Sequence, residues 1–342
     1  MSESIRDRVE YQKRAPLLGE RPIQAPFPRS MLVELSNGCN HACVFCTNPH
    51  MQRQVGRIDR DLMIRVMAEA RAAGVREIGF YTTGEPFVHK DLPIFTAEAS
   101  RLGFEYIFIT TNGAAATPAR LKEVIDAGLS SLKFSINGGS RETYRRVHGK
   151  DDWDKVIANL RFASEYRQSL GRKLALGVSH VVTDMTRPEK EAFRALVEPL
   201  VDDLLFLDCH DQMGQADTAR ASLSTTSAGK GAGGGICHYP FDRIHVTCEG
   251  YLTICCADYH NYLAVADLKQ VPLAEAWNGE AMQAARRMHV EDSMSGTLCG
   301  RCWKGETGPI QPLNPAFATP IDSQRFEQSV TDILSRRLED HT

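Results

Sequence analysis

Residues 31–46 read MLVELSNGCNHACVFC, and the interpretation of the whole chain starts from this stretch. Its first five residues form a short apolar run of the kind found in buried strands. Cys39, Cys43 and Cys46 follow directly, with the spacing C-x3-C-x2-C. Three thiolates this close together hold three irons of a cubane cluster and leave the fourth iron open to chelate another molecule. A tetrahedral zinc site is the alternative for the same thiolates.

Outward from this stretch, short apolar runs alternate with amphipathic helical patterns as far as residue 208. The further predicted strands are EIGFY (77–81), YIFIT (106–110), LKFSI (132–136), LALGVSHVV (174–182) and DLLFLD (203–208). Strands that alternate with helices through short connections form parallel sheets. The pattern predicts an α/β fold with a partial (βα)6 TIM-like barrel, although spacing alone leaves a doubly wound sheet open. In both folds ligands bind at the carboxyl ends of the strands.

The chain changes character after the sixth strand. Residues 212–235 are rich in Gly, Ala, Ser and Thr and offer almost nothing to bury, as is typical of a linker or lid. A β-hairpin around Glu249 and Gly250 and a helix over 273–288 are predicted beyond it. The predicted domains are an extended N-terminal arm (1–30), the barrel (31–211), the linker or lid (212–235), a small β-hairpin/helix iron–sulfur domain (236–305) and a tail with a surface helix (306–342).

The C-x3-C-x2-C spacing after a first barrel strand, with the aromatic Phe45 before the third cysteine, resembles the radical S-adenosylmethionine (radical SAM) superfamily. The resemblance implies a [4Fe–4S] cluster on the three cysteines, with S-adenosylmethionine on its open iron. The turn that follows the second strand, Thr83-Gly84-Glu85-Pro86, is similar to the Gly-Gly-Glu-Pro turn with which the family grips the amino group of S-adenosylmethionine. Thr83 departs from the first glycine of that turn.

Two further segments resemble family positions that line the cofactor pocket. Thr111 and Asn112 follow the third strand, and Ser135 and Asn137 follow the fourth. The resemblance implies that Ser135 and Asn137 lie near the ribose or the carboxylate of S-adenosylmethionine. The region after the fifth strand departs from the glycine-rich pattern of the family, and no cofactor residue is predicted there.

A second set of cysteines follows the linker: Cys237, Cys255, Cys299 and Cys302. Four thiolates close a cluster, whereas a structural zinc ribbon is the alternative. The set resembles the SPASM/Twitch auxiliary-cluster domains of radical SAM enzymes, and the resemblance implies a second, auxiliary [4Fe–4S] cluster. Cys256 is an alternative ligand beside Cys255, and the Gly-x4-Cys spacing favours Cys255.

The overall composition and charge limit the classes of partner that the chain is expected to bind. The 342 residues carry 40 Lys and Arg against 43 Asp and Glu, a formal net charge of −3, and no long basic run, so neither nucleic acid nor an anionic membrane is an expected partner. There is no apolar run of 18 residues and no signal-peptide pattern, which predicts a cytoplasmic location. In a cytoplasmic chain ten cysteines indicate metal ligands rather than disulfides.

The end of the sixth strand, Asp208-Cys209-His210, provides the predicted catalytic side chains. The expected reaction begins with a 5′-deoxyadenosyl radical that abstracts hydrogen from a sugar, cyclitol or nucleoside-like small molecule, and goes on to dehydrogenate an alcohol carbon with Asp208 or His210 as base. The alternatives are an epimerase with Cys209 as hydrogen donor, or a peptide- or protein-modifying maturase. The peptide alternative is disfavoured because about 30 N-terminal residues are too few for a peptide-recognition domain. A flavodoxin or ferredoxin-like reductant is expected, and the non-enzyme alternative is an iron–sulfur or zinc-binding module.

Overall fold

The computed structural model describes residues 4–8, 21–213, 215, 236–325 and 328. Within these residues the strands are β1 (Ser30–Val33), β2 (Glu77–Phe80), β3 (Tyr106–Thr111), β4 (Ser131–Ser135), β5 (Ala175–Val182), β6 (Asp203–Asp208), β7 (Arg243–Val246), β8 (Tyr251–Thr253) and β9 (Ala264–Asp267). The helices are α1 (Arg60–Ala72), α2 (Leu92–Arg101), α3 (Pro118–Asp126), α4 (Arg141–His148), α5 (Trp153–Gln168), α6 (Lys190–Val197), α7 (Tyr239–Asp242), α8 (Leu273–Asn278), α9 (Glu280–Val290) and α10 (Leu298–Lys304).

All nine strands belong to one sheet, in the order β6-β5-β4-β3-β2-β1-β7-β8-β9. The pairs from β1 to β6 are parallel and run in chain order without a reversal. A doubly wound sheet reverses its strand order at a switch point. The partial (βα)6 barrel is therefore confirmed, and the doubly wound alternative is wrong.

The predicted hairpin continues the barrel sheet. β7 pairs in parallel with β1, and β8 and β9 follow as antiparallel strands. Gly250 has φ +89° in the turn between β7 and β8, and a Cβ there would lie 2.6 Å from a methyl of Leu62, so the turn requires glycine. The C-terminal residues are thus joined to the barrel through backbone hydrogen bonds.

Local sequence explains where the helices begin and end. The Asp59 carboxylate accepts a hydrogen bond from the N–H of Leu62 at the start of α1, and Thr117 caps α3 in the same way. Gly149, with φ +68°, ends α4. The predicted helix over 273–288 is interrupted, because Gly279 takes an extended conformation between α8 and α9.

Along the strands, residues that are buried in the core alternate with residues that face the barrel interior. In β3, Ile107 and Ile109 are buried in the core that the sheet shares with the helices. Tyr106, Phe108 and Thr110 are half-buried and line a cavity inside the barrel. The sheet thereby presents one polar, accessible face to the predicted site.

Some predicted features fall outside the described residues. They include most of the linker or lid (212–235), much of the N-terminal arm and nearly all of the tail helix beyond Asp322. In the part of the chain that the structure describes, every helix is too short or too polar to cross a membrane.

Candidate active site

The loop with the first three cysteines connects β1 to α1 at the carboxyl end of the sheet. The backbone N–H groups of Ala42 and Val44 donate to carbonyls in the last turn of α4, at 3.0 and 2.9 Å. The Asn37 side chain bonds two backbone groups farther along the loop, at 2.9 and 2.8 Å. Phe45, before the third cysteine, is half-buried. The loop is therefore anchored at several points along its length.

The three thiols of this loop form no disulfide and have different surroundings. Cys39 is exposed, whereas Cys43 and Cys46 are half-buried. Cys39 and Cys46 are close enough for their thiolates to repel each other. The Cys46 Sγ lies 3.7 Å from the hydroxyl of Tyr259, and the Cys43 Sγ lies 3.5 Å from Nδ1 of His148. The loop gathers three thiols without a disulfide, which suits a cluster with three protein ligands.

The predicted cofactor turn, residues 83–86, packs directly against this loop. The N–H of Glu85 donates to the carbonyl of Gly38 at 3.0 Å. A Cβ on Gly84 would lie 2.1 Å from the carbonyl oxygen of Ser36, so a side chain has no room there. The hydroxyl of Thr83 donates to a carboxylate oxygen of Glu34. The glycine of this turn is thus required by the close approach of two backbones.

The Glu85 carboxylate is enclosed and joins the turn to the end of β3. Its Oε1 accepts from the N–H of Phe87 (3.0 Å) and the hydroxyl of Thr111 (2.7 Å), and its Oε2 accepts from the N–H of Asn112 (2.7 Å). Burial raises the pKa of Glu85, although these bonds favour the charged form. Pro86 is buried and begins the next helical turn. Oε2 accepts a single bond and keeps capacity for a donor on a ligand.

The remaining predicted cofactor residues lie along the same edge. The Asn112 side chain comes within 3.7 Å of the Cys39 Sγ. Ser135 lies 3.4 Å from Ser179, its register partner on β5, hydroxyl to hydroxyl. Asn137 accepts a 2.7 Å hydrogen bond from a backbone N–H of β5 through its side-chain oxygen. The structure therefore brings the cofactor residues of β3 and β4 to the edge that carries the cysteine loop.

The three predicted catalytic residues at the end of β6 have different environments. Cys209 is buried, whereas Asp208 and His210 are exposed. Burial, with smaller contributions from Asp184 and Asp211, raises the pKa of Cys209 to about 11. The thiol of Cys209 therefore keeps its proton at neutral pH, as a hydrogen donor requires. The catalytic assignments stay predictions.

The second set of cysteines is also brought together. Cys299 interacts electrostatically with both Cys237 and Cys302, and Cys255 interacts with Cys302. Burial raises the pKa of Cys299 well above its usual value. Cys299 and Cys302 lie on α10, whose N-cap is Thr297. This arrangement fits the four thiolates of a closed cluster.

Cys256 has different neighbours from the rest of the set. A hydrogen bond from Cys255, reinforced by His245 and by the charge of Arg243, lowers the pKa of Cys256. His245 and Arg243 belong to β7, on the barrel side of the second cysteine set. Cys255 contacts Cys302 of the set, and its assignment as the fourth ligand stays a prediction.

Sequence reasoning missed two residues beside the first cysteine loop. His148 contacts Cys43 from the last turn of α4, and Tyr259 contacts Cys46 from the C-terminal region. Tyr259 comes three residues after Cys256, which is the one local indication that it lies near a cluster. Nothing in the sequence around His148 indicates its contact with the loop.

Among the described residues, one further group of side chains outside the two cysteine sets could bind a metal ion: Glu34, Cys248 and Glu249. This group belongs to an ion-pair network. The Arg53 guanidinium lies between the two carboxylates, with Nη2 2.5 Å from Glu34 and 2.6 Å from Glu249. Cys248 is buried there, and burial raises its pKa. Because the guanidinium bonds both carboxylates, this group links the cysteine loop to the hairpin.

The barrel encloses a cavity of about 280 Å³ between the strands and the helical turn at residues 5–8. Aromatic and basic side chains dominate its wall: Arg8, Arg29, Tyr81, Tyr106, Phe108, Lys133 and Arg243. Strand alternation places Lys133 on the same face as Ser135, nearer the amino end of β4. The cavity therefore lies below the predicted cofactor residues and can receive part of a substrate.

Family comparisons match both cysteine sets. The radical SAM superfamily matches residues 33–189, and the SPASM iron–sulfur cluster-binding domain matches residues 237–303. Two solved structures share the fold. The complex of BtrN with AdoMet and 2-DOIA has a TM-score of 0.53 at 18% identity, over 84% of this chain and 96% of BtrN. Streptococcus suis SuiB bound to its precursor peptide SuiA has a TM-score of 0.64 at 12% identity, over 82% of this chain and 70% of SuiB.

A curated relative is similar over part of this chain. The PqqA peptide cyclase of Rhizobium meliloti (strain 1021) is 34% identical over 140 residues, which are 40% of this chain. The match spans 37% of that relative's length. The thiol geometry and these matches together favour iron–sulfur clusters over the zinc alternatives for both cysteine sets.

Proposed function

Because this chain belongs to the radical SAM superfamily and carries a SPASM iron–sulfur domain, we propose that it is an enzyme that modifies a peptide. Its cofactors are [4Fe–4S] clusters and S-adenosylmethionine, as the sequence predicts. Reductive cleavage of S-adenosylmethionine supplies the 5′-deoxyadenosyl radical with which such enzymes abstract hydrogen. The coarse expectation of a radical SAM enzyme is confirmed, and the non-enzyme alternative is set aside.

In this proposal the chain's own residues bind and orient the cofactor and enclose the substrate. Cys39, Cys43 and Cys46 would hold the cluster that binds S-adenosylmethionine. Glu85 fixes the cofactor turn against the end of β3 through its hydrogen bonds to Thr111 and Asn112. The cavity below that edge would take the substrate and keep water from the reacting atoms.

The second cysteine set has a separate role in the proposal. Cys237, Cys255, Cys299 and Cys302 would hold the auxiliary cluster, and a flavodoxin or ferredoxin-like protein would supply electrons. A closed cluster can accept an electron from an oxidised substrate or shape the substrate pocket. Tyr259 contacts Cys46 and interacts electrostatically with Cys256. It therefore connects the first cysteine loop with the region of the second cysteine set.

The observation that carries the peptide proposal is the 34% identity to PqqA peptide cyclase over 140 residues. The fold that this chain shares with SuiB in its complex with SuiA is compatible with the peptide proposal. This proposal takes up the peptide alternative and gives less weight to dehydrogenation of a small-molecule alcohol. Dehydrogenation stays the second candidate, because BtrN matches over 96% of its own length and was crystallised with 2-DOIA.

The test is hydrogen transfer from labelled substrates. Anaerobically reconstituted protein is incubated with dithionite, S-adenosylmethionine and deuterated peptides that are encoded beside its gene, and in parallel with deuterated sugars and cyclitols. We expect deuterium in 5′-deoxyadenosine and a mass change in a peptide. The variant Cys39→Ala/Cys43→Ala/Cys46→Ala should give no 5′-deoxyadenosine. Transfer from a sugar or cyclitol alone, by fully loaded protein, would refute the peptide proposal and support the second candidate.

A further inference from the structure

Lys133 lines the barrel cavity. It lies on β4, with Thr110 of β3 and Gly177 of β5 as its register partners. Its ammonium group lies 6.0 Å from the centre of the Tyr81 ring. Gly177 has no side chain, and Ile5, which also lines the cavity, packs against it: a Cβ there would lie 2.8 Å from the Ile5 Cδ1. The lysine is therefore a wall residue of the cavity.

No described carboxylate pairs with Lys133. Both acidic side chains of the cavity wall already have basic partners: Glu77 bonds Arg8 (2.8 Å) and Arg29 (2.6 Å), and Asp242 bonds His238 (2.7 Å). Four basic side chains and two acidic ones line the cavity, so its wall has an excess of positive charge. Burial lowers the pKa of Lys133 to about 8. A buried ammonium without a counter-ion is costly, and an anionic ligand removes that cost.

The other side chains of the cavity wall also favour an anionic ligand. Arg243 lies in the same cavity and interacts with Tyr81. Tyr81, Tyr106 and Phe108 form an aromatic wall, and apolar surroundings strengthen the attraction between opposite charges. The cavity of about 280 Å³ is near the lower end of ligand-pocket volumes, which suits one side chain of a larger substrate.

The depth of Lys133 fits a substrate that reacts at the cofactor. Ser135, a predicted cofactor residue, is two positions farther along β4 and on the same face. Two strand residues span about 7 Å. A substrate carbon beside the cofactor can therefore belong to a residue whose side-chain acid reaches Lys133.

We propose that Lys133, flanked by Arg243, is the anion-binding element of the substrate cavity and binds a side-chain carboxylate of the peptide. The assignment rests on the proposed function, because only a peptide substrate presents such a side chain. Lys133 acts by holding the substrate, and no proton or electron passes through it.

The test is protection of the Lys133 amine from acylation. Reconstituted holoenzyme receives a short pulse of acetic anhydride at pH 8, alone or with N-acetyl-L-glutamate, N-acetyl-L-glutamine or inorganic phosphate, at matched ionic strength. Mass spectrometry measures acetylation at Lys133 and at Lys122, an exposed lysine on the outer helix α3, in the same molecules. We expect N-acetyl-L-glutamate to lower acetylation of Lys133 at least threefold relative to Lys122, and N-acetyl-L-glutamine to leave the ratio unchanged.

Three outcomes overturn the assignment: equal protection by the neutral amide, no protection by any probe, or protection by phosphate without protection by N-acetyl-L-glutamate. In addition, Lys122→Met should cleave S-adenosylmethionine without substrate within twofold of the wild-type rate. The acylation experiment needs no turnover, so its result is independent of whether any peptide is modified. A negative peptide screen with carboxylate-specific protection would thus reject the proposed function and keep the anion site.

Discussion

At the scale of single residues, His148 is one of the side chains through which the barrel contacts the first cysteine loop. Its Nε2 lies 3.0 Å from the backbone nitrogen of Asn137, which can only donate. The ring of His148 is therefore protonated on Nδ1, the atom 3.5 Å from the Cys43 Sγ and 3.3 Å from His41. His41 in turn bonds Asp152. Because His41 donates from Nε2 to the Asp152 carboxylate, its Nδ1 is an acceptor, and the His148 N–H is shared between that nitrogen and the Cys43 Sγ.

Replacing His148 with Phe should make the cluster that binds S-adenosylmethionine harder to reduce. Hydrogen bonds to cluster sulfurs favour the reduced, more negative state. If the lost bond favours that state by about 1 kcal/mol, the midpoint potential becomes about 40 mV more negative. The measurement is an anaerobic redox titration followed by EPR, in which added S-adenosylmethionine identifies the signal of this cluster.

Two further variants make the His148 result specific. His148→Asn keeps an N–H donor near the position of Nδ1 and should restore most of the potential. Tyr144→Phe keeps the ring that stacks on His148 at 4.1 Å and removes a buried hydroxyl without a described partner, so it should leave the potential unchanged. A wild-type potential in His148→Phe would show that the contact with Cys43 does not act on the cluster.

Residue-level prediction from sequence succeeded where the contacts are local. The three cysteines and the Thr83–Pro86 turn are contiguous motifs, so their positions beside two strand ends follow from the fold class. His148 and Tyr259 reach their cysteines from 105 and 213 positions away. No local pattern specifies a contact across such a separation, and these residues became visible only in the folded chain.

At the scale of elements, the cysteine loop and the cofactor turn are one packed unit. The backbones of Gly84 and Ser36 are so close that a Cβ on Gly84 would lie 2.1 Å from a carbonyl oxygen. The loop connects β1 to α1 and the turn lies between β2 and α2, and the Glu85 carboxylate ties the turn to the end of β3. A displacement of the turn therefore moves the loop that carries the first cluster.

Gly84→Ala should consequently lose the first cluster and keep the second. The methyl group forces the turn away from Ser36, whereas in the second cysteine set Cys237 precedes α7, Cys255 follows β8, and the other two cysteines lie on α10. We expect iron and acid-labile sulfide to fall to roughly half of the wild-type content, since one of two four-iron clusters is lost. Cleavage of S-adenosylmethionine should be abolished.

The matched control for that variant is Gly171→Ala, where a Cβ meets nothing within 4 Å. It should keep the full iron content and activity. Full iron content in Gly84→Ala would contradict the tight packing of loop and turn, and loss of both clusters would contradict their independence.

Element boundaries show what sequence patterns can and cannot specify. The strand and helix alternation up to β6 was predicted because each unit has its own apolar period. The pairing of β7 with β1 was not predicted, since it depends on backbone groups that no side-chain pattern reports. β9 is a short run, AVAD, that lacks strong strand residues apart from Val265.

At the scale of the whole molecule, one sheet joins the barrel and the second cysteine region, and helices α8 and α9 pack on its C-terminal part. Arg286 of α9 is buried there and bonds the carbonyls of Ile23 (3.0 Å) and Pro240 (2.9 Å). The Nε1 of Trp277 bonds the carbonyl of Ala25 (3.2 Å). The segment before β1 is thus held by the C-terminal helices, and their stability affects the barrel as well.

This packing predicts an acid-sensitive group in α9. His289 is 4% exposed, and neither ring nitrogen has a hydrogen-bond partner among the described residues. Burial lowers its pKa from 6.5 to about 4. Below pH 6.5 His289 binds a proton in the unfolded chain, whereas in the folded chain it stays neutral until the pH approaches 4. The free energy of unfolding therefore falls as the pH drops from 6.5 towards 4. At pH 5 this group alone costs about 2 kcal/mol of stability.

His289→Leu should therefore weaken the acid sensitivity of the fold. In wild-type protein the melting temperature should fall between pH 7.5 and pH 5.0, and in the variant that fall should be about 3 °C smaller. Comparing each protein with itself removes the effect of the changed packing. Met288→Leu, next to His289 and without an ionisable group, should keep the wild-type difference. Anaerobic calorimetry of the three proteins at both pH values makes the comparison, and an equal fall in His289→Leu and wild type would show that His289 is protonated in the fold as readily as in the unfolded chain.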